Sequence, residues 1–160
     1  MLHHVSVGVR DVERAARFYD AALGALGYKR TAEYLPYAIA YGVTAPAFWI
    51  QLPHNQQAPN PGNGAHVGFS ARDKNGVHAF YEAALAHGGR DDGEPGPREM
   101  YGPDYYGAFV FDLDGNKVEA TLHAEAFVTT RPARKATGKR TQRAPKRGAR
   151  KRVKKKARRR

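Results

Sequence analysis

The sequence predicts an α+β fold in which a module of one strand, one helix and about three further strands occurs twice. Residues 4–27 and 66–89 form an internal repeat. Period-2 alternation at the start of each copy is typical of a half-buried strand. A change of charge after residue 128 separates this globule from a basic tail. The 160 residues therefore divide into one domain of ordinary size, residues 1–128, and an extension, residues 129–160.

The repeat has no gap at an offset of 62 residues, and ten of its 24 aligned positions are identical. Ten matches are too many for coincidence, so the globule is interpreted as a duplicated module. The identical pairs are His4/His66, Val5/Val67, Arg10/Arg72, Asp11/Asp73, Phe18/Phe80, Tyr19/Tyr81, Ala21/Ala83, Ala22/Ala84, Leu23/Leu85 and Gly27/Gly89.

Each copy begins with a predicted strand, residues 4–9 and 66–71. In the first of them a histidine and two small residues alternate with Val5, Val7 and Val9, and the second repeats this pattern. The apolar face is expected to pack on helices. The face with the histidine carries only small residues after it, which leaves space in front of the sheet.

A predicted helix follows each of these strands. Asp11 and Asp73 suit helix N-caps, and apolar residues recur behind them at helical spacing. Gly27 and the pair Gly88–Gly89 suit the C-terminal ends of the same helices. Both helices are therefore expected to be amphipathic and to cover the sheets.

Short strands, a tight turn and a linker complete the predicted modules. The sequence DLDGN at 112–116 carries the Asp-Gly signal of a hairpin. Polar residues rich in Pro and Gly at 54–64 link the modules, which span about 1–53 and 65–125. The strands are predicted at 37–42 and 47–52 in the first module, and at 106–112 and 117–123 in the second.

The last predicted strand carries a carboxylate, Glu119, between apolar neighbours. Buried charge is costly unless it is paired or bound to a metal. Together with His4 and His66, which occupy matching places in the repeat, Glu119 makes a set of two imidazoles and one carboxylate. That set suits Zn, Mn, Fe, Co or Ni and leaves coordination positions for a substrate. The alternative is two structural histidines and a Glu119–Arg98 ion pair.

The segments HVSVGVRDVERAARFY, HVGFSARDKNGVHAFY and AFVFDLDGNKVEA resemble the vicinal-oxygen-chelate superfamily of glyoxalase I, bleomycin-resistance proteins, extradiol dioxygenases and fosfomycin-resistance enzymes. In the third segment Leu113 stands where proline is common. The resemblance covers about residues 1–125 and implies two βαβββ modules whose curved mixed sheets enclose a cavity, commonly in a homodimer. It also implies a divalent metal chelated by a substrate's neighbouring oxygens, with the metal positions falling on His4, His66 and Glu119.

The resemblance implies a metal-dependent lyase, isomerase or dioxygenase acting on a small oxygenated substrate. A displaced Glu119 and His123 are the candidate catalytic proton carriers, although a solvent-facing strand end explains His123 equally well. Enzymes of the glyoxalase I type use a fourth ligand where this chain places Trp49, with Gln51 as the counterpart of Thr121. Three protein ligands are more similar to the dioxygenase and fosfomycin-resistance branches.

Candidate substrate contacts lie in two places. Trp49 and Gln51 share a strand face, where the indole offers a flat wall for an apolar or aromatic ligand, or is a core residue instead. The segment GPREMYGPDYYG at 96–107 looks like a loop at the mouth of the cavity, in which Arg98 can hold an anionic group. The hydrogen-bond donors of that segment are Tyr101, Tyr105 and Tyr106. A surface loop without a role is the alternative.

The tail differs from the globule in charge. Residues 1–128 hold 10 basic and 15 acidic residues, a net charge of −5, and residues 129–160 hold 17 basic residues and no acid, a net charge of +17. The tail resembles those of linker histones, is expected to be disordered, and predicts non-specific nucleic-acid binding by counterion release. An anionic membrane, or no partner, is the alternative. The candidate contacts are Lys139, Arg140, Lys146, Arg147, Arg150, Lys151, Arg152, Lys154, Lys155 and Lys156.

Composition excludes several classes of site and of protein. The chain has no cysteine, which excludes disulfides, thiolate metal sites and cysteine nucleophiles. Neither a secretory signal nor an apolar stretch long enough to cross a bilayer is found, so a cytoplasmic protein, nucleoid-associated through its tail, is expected. Three hypotheses follow: a metal-dependent enzyme, a metal-free protein that sequesters a small molecule, and a nucleic-acid-associated protein with a non-catalytic globule.

Overall fold

The structure is a computed structural model that describes residues 2–122. Two modules of identical element order follow one another and confirm the predicted α+β fold of two βαβββ units. The first comprises β1 (Val5–Gly8), α1 (Val12–Gly24), β2 (Lys29–Tyr34), β3 (Ala38–Gly42) and β4 (Phe48–Gln51). The second comprises β5 (His66–Ser70), α2 (Lys74–Ala86), β6 (Arg90–Pro97), β7 (Tyr106–Phe111) and β8 (Lys117–Leu122), with a 3-10 turn at Glu99–Tyr101.

Each module forms one four-stranded mixed sheet. The strand order is β1-β4-β3-β2 in the first sheet and β5-β8-β7-β6 in the second. The first strand of each module pairs in parallel with the last, and the remaining pairs are antiparallel. The last strand of each module therefore lies inside its sheet, with neighbours on both sides.

The two helices begin at equivalent places of the repeat. Asp11 Oδ1 accepts the backbone N–H of Arg14 at 2.8 Å, and Asp73 Oδ1 accepts that of Gly76 at 2.8 Å. Both aspartates are therefore N-caps, as the sequence predicts. Gly88 follows His87, the C-cap of α2, and has a φ of 88°, a conformation that favours glycine at the end of a helix.

The helices and the inner sheet faces share one hydrophobic core. Phe18, Tyr19 and Phe80 of the helices are completely buried in it. The rings of Phe48 and Phe69 meet edge to face at 5.0 Å and join the sheets of the two modules. The modules are thus parts of one packed unit, because buried residues of both modules belong to one hydrophobic cluster.

The turn between β7 and β8 is a second connection between the modules. Asp112 in this turn is 6% exposed and accepts the backbone N–H groups of Asp114 and Asn116. Its Oδ2 also accepts the Tyr19 hydroxyl of α1 at 2.8 Å. The Asn116 amide donates to the Gly8 carbonyl at 3.0 Å. The DLDGN segment therefore forms the predicted hairpin turn and holds it against the first module.

Two strands were not located by the sequence pattern. The sequence of β6, RDDGEPGP, is poor in β-branched and aromatic residues, and β2 has no clean alternation. Strand β6 is instead held by its backbone pairing with β7, with irregular register around Gly93. The segment 96–107 therefore begins within β6 and ends within β7, rather than being loop throughout.

No helix in residues 2–122 is long and apolar enough to cross a membrane. His123, the division at residue 128 and the basic residues of 129–160 lie outside the described residues.

Candidate metal and ligand site

The candidate site lies on the face of the second sheet that points away from the helices. Glu119 occupies the middle of β8, between its backbone partners Gly68 on β5 and Phe109 on β7. Alternation sends Val118 and Ala120 into the core and Glu119 to the opposite face. The carboxylate is nevertheless only 2% exposed, so it needs polar partners of its own.

Both carboxylate oxygens of Glu119 have such a partner. The Tyr105 hydroxyl donates a hydrogen bond to Oε1 at 2.6 Å. The Nε2 atom of His66 lies 3.4 Å from Oε2. The His66 side chain is about half exposed, with 48% of its surface accessible. The structure thus brings together two of the three predicted metal ligands, at the boundary between buried strand and solvent.

Tyr105 lies on the segment that leads into β7. Partial burial raises the pKa of its phenol, and the hydrogen bond to Glu119 raises that pKa further, while Thr121 acts in the opposite direction. The neutral phenol is therefore the favoured form, and only the neutral form can donate to the carboxylate.

Two glycines make room for the carboxylate. A Cβ atom on Gly107 would lie 3.0 Å from Oε1 of Glu119, and one on Gly68 would lie 3.5 Å from Oε2. The first separation is tighter than an ordinary contact, whereas the second is ordinary. The carboxylate therefore lies against both glycines, and the contact is tightest at Gly107.

The third predicted ligand, His4, directly precedes β1 of the first sheet. Its Nδ1 lies 2.8 Å from Nδ1 of His3, and both residues are exposed just before β1. Among residues 2–122, no group of three His, Asp or Glu side chains is placed to hold a metal ion. His4 therefore does not join His66 and Glu119 within one chain.

The repeat places Trp49 in the position that corresponds to Glu119. Ser6 pairs with Trp49 across β1 and β4, and Gly68, the repeat equivalent of Ser6, pairs with Glu119. The indole stacks on Tyr34 with ring centroids 6.0 Å apart. Gln51, on the same face, lines a cleft of about 900 Å³ at the end of the first sheet. The equivalent of the Glu119 site in the first module is thus an aromatic surface.

The residues of segment 96–107 that were predicted to contact a substrate lie in different places in the structure. Tyr101 is 58% exposed, and its ring packs on that of Tyr105 at 5.2 Å. Tyr106 lies on the helix side of β7, with its hydroxyl 2.8 Å from Nε2 of His78. Tyr105 therefore contacts Glu119, Tyr101 packs on Tyr105, and Tyr106 lies on the other face of the sheet.

Arg98 lies at the end of β6 and does not pair with Glu119. Its guanidinium donates to the carbonyls of Glu94 at 2.7 Å and Pro97 at 3.2 Å. Within residues 2–122 no carboxylate lies within ion-pair distance of it. The alternative of a Glu119–Arg98 ion pair is therefore not realised in this structure.

Two further residues of this face were not singled out from the sequence. Phe109 is the backbone partner of Glu119, and Lys117 precedes Glu119 by two positions on the same face. The Lys117 ammonium lies 4.7 Å from the Phe109 ring centroid and 2.6 Å from a carboxylate oxygen of Asp92. Phe109 could have been predicted from the sequence, because the register of the hairpin places it opposite Glu119 and the alternation in YGAFVF puts it on the same face.

The chemistry of the paired side chains fits a divalent metal ion in part. One imidazole nitrogen and one carboxylate oxygen are donors that Zn, Mn, Fe, Co and Ni all accept. The face beside them holds no bulky side chain on Gly68 or Gly107. One chain provides two donors here, so a third protein ligand for a metal ion has to come from elsewhere.

The fold and this face define the chain as a paired-module α+β protein with a buried carboxylate next to a half-exposed imidazole on one sheet face. The profile of the Glyoxalase/Bleomycin resistance protein/Dioxygenase superfamily matches residues 1–120, and the chain belongs to this superfamily. A search of the curated proteins found no match. Members of the superfamily are often metal-dependent enzymes, bind small-molecule substrates and often dimerise.

Solved structures show the same fold. A glyoxalase/bleomycin resistance protein from Albidiferax ferrireducens T118 is 38% identical, with a TM-score of 0.67 over 75% of this chain and 96% of that chain. A glyoxalase-related enzyme from Fulvimarina pelagi is 21% identical, with a TM-score of 0.62 over 77% and 88%. A fosfomycin resistance protein from Listeria monocytogenes is 15% identical, with a TM-score of 0.57 over 78% and 94%. At these identities, the last two structures show only that the fold is the same as that of this chain.

Proposed function

We propose that the chain is a divalent-metal-dependent enzyme that acts on a small oxygenated substrate, as a lyase, isomerase or dioxygenase. The observation that carries the proposal is the pair of His66 and the buried Glu119, 3.4 Å apart on an open sheet face. Zn, Mn, Fe, Ni and Co all suit these donors. A bound metal would supply Lewis-acid polarisation of the substrate's neighbouring oxygens.

The protein groups have distinct tasks in this proposal. Glu119 supplies a carboxylate oxygen, Oε2, beside the His66 imidazole, while its other oxygen accepts the Tyr105 hydroxyl. Tyr105 therefore fixes the rotamer of the carboxylate and leaves one oxygen for the site. His66, half exposed, lies where a substrate can approach from solvent. Glu119 and His123 are the proposed proton carriers.

His4 of a second copy of the chain is the proposed third ligand. One chain does not bring its own His4 to His66 and Glu119 among the described residues. His4 is exposed directly before β1, so its imidazole is accessible to another molecule. A homodimer in which the first sheet of one copy faces the second sheet of the other would complete the site twice.

Metal analysis of the purified full chain tests the first step. The wild-type protein is expected to hold about one metal ion per chain after metal loading. His66→Ala and Glu119→Gln are expected to lose it, because each removes one ligand. His54→Ala, which removes an exposed loop imidazole, is the matched control and is expected to keep the metal. Absence of stoichiometric metal in the wild-type protein would overturn the enzyme proposal.

A mixed dimer tests whether the site is shared. His4→Ala and His66→Ala chains are co-expressed with different tags, and the dimer that carries both tags is isolated. If the site is shared, this dimer has one intact site and one lacking both histidines, so it holds about half the wild-type metal. If each site comes from a single chain, the mixed dimer holds none.

A metal-free protein that sequesters a small molecule is the second candidate function. It is favoured by the stacked Trp49 and Tyr34 rings and by the cleft of about 900 Å³ that Gln51 lines. The stacked Trp49 and Tyr34 rings offer an aromatic surface that suits an apolar or aromatic ligand. Binding of such a ligand without added metal, lost in Trp49→Ala and kept in His66→Ala, would favour this function over the enzyme.

Residues 129–160 are proposed to bind nucleic acid without sequence preference, beside either function of the globule. Their charge of +17 over 32 residues supports the proposal, because cationic side chains release counterions from the phosphate backbone. Non-specific nucleoid association in the cytoplasm would follow from such binding.

Duplex DNA binding by the full chain and by a chain that ends at residue 128 tests this proposal. Binding is expected to disappear on truncation and to weaken steeply between 50 and 200 mM salt, by at least about tenfold. Circular dichroism serves as the control for folding of the truncated chain. Equal DNA binding by the two chains would refute the role of the tail.

A further inference from the structure

We infer that His3 fixes the tautomer of His4, so that His4 presents a bare Nε2 atom as its metal-binding nitrogen. This inference deepens the proposed function and rests on it, because His4 is the proposed third ligand of the metal site. His3 is thus a positioning residue, since it acts on the metal through His4 rather than by binding it. The observation that carries the inference is the separation of 2.8 Å between the Nδ1 atoms of the two imidazoles.

This short separation requires a single proton between the two Nδ1 atoms. Two bare nitrogens would repel each other through their lone pairs, and two N–H groups would bring their hydrogens together, so one Nδ1 donates and the other accepts. The rings are nearly perpendicular, at 83° with centroids 5.0 Å apart, so they do not form a face-to-face stack. A neutral imidazole carries one N–H. The donating ring therefore has a bare Nε2, and the accepting ring carries an Nε2–H.

The internal repeat indicates that His4 is the donating ring. His66 is the repeat equivalent of His4, and its Nε2 lies 3.4 Å from Oε2 of Glu119. By this equivalence Nε2 is the atom with which His4 is expected to face a bound metal ion. A neutral His4 offers a bare Nε2 only if its proton is on Nδ1, and the Nδ1 of His3 is placed to accept that proton in a hydrogen bond.

His3 has no counterpart in the second module, where Ala65 occupies the equivalent position. The histidine of that module has another polar partner, because the buried Glu119 carboxylate lies next to it. In the first module Trp49 stands at the place of Glu119, and an indole offers no hydrogen-bond acceptor to an imidazole. The first module therefore has no carboxylate at this place, and His3 supplies a polar partner from the neighbouring position in the chain.

A fixed tautomer favours metal binding. Histidine ligands of metal ions almost always donate their other ring N–H to an acceptor, which orients the ring and raises its basicity, and loss of that acceptor lowers metal affinity by about 10–100-fold. His3 and His4 are both exposed, so water can replace part of the bond, and we expect an effect at the lower end of that range. Because the two residues are adjacent in one chain, the tautomer is set before a second copy binds.

Nitrogen-15 NMR of the histidine rings tests the tautomer in the metal-free full chain. At about pH 8 the imidazoles are neutral, and their ring nitrogens distinguish protonation on Nδ1 from protonation on Nε2. The wild-type protein and His3→Asn are expected to hold His4 in the Nδ1–H form, since the asparagine amide oxygen replaces the accepting nitrogen. His3→Ala removes the acceptor, so the Nε2–H form of His4 is expected to increase.

His87 is the internal reference in each spectrum. Its Nδ1 lies 2.8 Å from the Ala83 carbonyl oxygen, which can only accept, so His87 is expected in the Nδ1–H form. This bond lies at the end of α2 and does not involve His3, so the His87 signals are expected to be the same in all variants. A spectrum of His4→Ala assigns the His4 signals by their loss.

Titration of the same proteins with Co²⁺ measures the consequence for the metal. Visible absorption of the bound ion reports both affinity and coordination. His3→Asn is expected to bind Co²⁺ as the wild-type protein does, whereas His3→Ala is expected to bind it about tenfold more weakly. The asparagine variant separates two roles of His3, because a residue that itself held the metal would lose affinity in both variants. Circular dichroism reports whether each variant is folded.

The inference and the proposed function fail separately. An Nε2–H form of His4 in the metal-free wild-type protein would overturn the inference. Equal Co²⁺ affinity in the wild-type protein and His3→Ala, or an equal loss in His3→Asn and His3→Ala, would also overturn it, while stoichiometric metal binding left the proposed function intact. A His3-dependent Nδ1–H form in a wild-type protein that holds no metal would support the tautomer and overturn the metal-dependent function.

Discussion

Glu119 is the residue on which the candidate site depends, because it is a carboxylate buried to 2% exposure in a central strand. A charge in this position is stabilised only by its polar neighbours, and these are Tyr105 on one oxygen and His66 on the other. Its repeat equivalent, Trp49, needs no such partners and has an aromatic neighbour instead. The difference between Glu119 and Trp49 therefore gives the second module a polar site where the first module has an aromatic surface.

Tyr105→Phe tests the hydrogen bond to Glu119. Removal of the hydroxyl leaves Oε1 of a buried carboxylate without its donor, so the free energy of unfolding is expected to fall by about 1–2 kcal/mol. Metal affinity is expected to fall as well, by about tenfold or more, because the carboxylate loses the contact that orients it. Urea unfolding and metal titration measure the two effects.

Tyr101→Phe is the matched control for this prediction. Tyr101 is 58% exposed and packs on the Tyr105 ring through its own ring rather than its hydroxyl. It is expected to retain wild-type stability and metal affinity. A Tyr105→Phe protein that matched Tyr101→Phe in both measurements would show that the 2.6 Å hydrogen bond does not orient Glu119.

At the scale of elements, the repeat duplicates both the helices and their starting residues. Asp11 and Asp73 accept backbone N–H groups at the same distance of 2.8 Å. Asp11→Ala and Asp73→Ala are each expected to lower the free energy of unfolding by about 1 kcal/mol, because each leaves a helix N-terminus uncapped. Asp11→Ser and Asp73→Ser retain an oxygen acceptor and should restore most of the loss in urea unfolding. An unchanged midpoint in both alanine variants would contradict the capping role.

Strand β7 limits the space around Glu119 at Gly107. A Cβ atom there would lie 3.0 Å from Oε1 of Glu119 and 3.2 Å from the Ala120 carbonyl oxygen. Gly107→Ala is therefore expected to displace the carboxylate, with a stability loss of about 1–3 kcal/mol and weaker metal binding. Unfolding midpoint and metal titration are the measurements.

Gly68→Ala is the matched control on the other side of the carboxylate. Its Cβ atom would lie 3.5 Å from Oε2, an ordinary contact, and alanine is favoured over glycine inside a strand. Stability is expected to be unchanged or slightly higher. If Gly68→Ala and Gly107→Ala destabilised the protein equally, the crowding at Gly107 would not be the cause.

At the scale of the whole molecule, the two modules share their core. Tyr19 of α1 is completely buried and donates to Asp112 in the turn of the second module. Burial raises the pKa of Tyr19 well above its usual value, and the neighbouring Asp112 raises it further. Burial likewise raises the pKa of Tyr41, with Asp20 as the next cause. Both phenols are therefore held neutral, Tyr19 with a partner in the second module and Tyr41 with one in its own module.

This burial predicts loss of stability at high pH. Below about pH 10 the phenols are neutral in both states, so their contribution to stability is fully present. Above that pH the unfolded chain ionises first and gains free energy, so stability falls as the pH rises towards the higher native pKa values. Each such tyrosine lowers the free energy of unfolding by about 1.4 kcal/mol per pH unit in that range.

Urea midpoints measured at pH 9, 10 and 11 check this prediction. A single transition in far-ultraviolet circular dichroism and tyrosine absorbance is expected, because one core holds both modules. Tyr19→Phe should have a shallower decline with pH than the wild-type protein, with the exposed Tyr37→Phe as control. A decline in Tyr19→Phe as steep as in the wild-type protein would contradict the assignment.

The sequence by itself determined the fold class, because identical spacing in two copies repeats the same strand, helix and capping residue. It also placed His66 and Glu119 on one sheet face and made Trp49 the counterpart of Glu119, since alternation along a strand is set by local geometry. It did not locate β2 or β6, whose residues have little strand preference and are held by neighbouring strands.

Only the tertiary structure decided which of the candidate residues meet. Tyr105 reaches Glu119 and Tyr106 does not, because β7 begins at Tyr106 and its pairing with β8 sends alternate side chains to opposite faces. Arg98 lies over Phe109 rather than beside Glu119, because two glycines of β6 provide the groove that holds it. His4 directly precedes β1 of the other sheet, and no spacing along the chain shows how far apart the two sheets hold His4 and His66. Such separations depend on the packing of whole elements, which local sequence patterns do not encode.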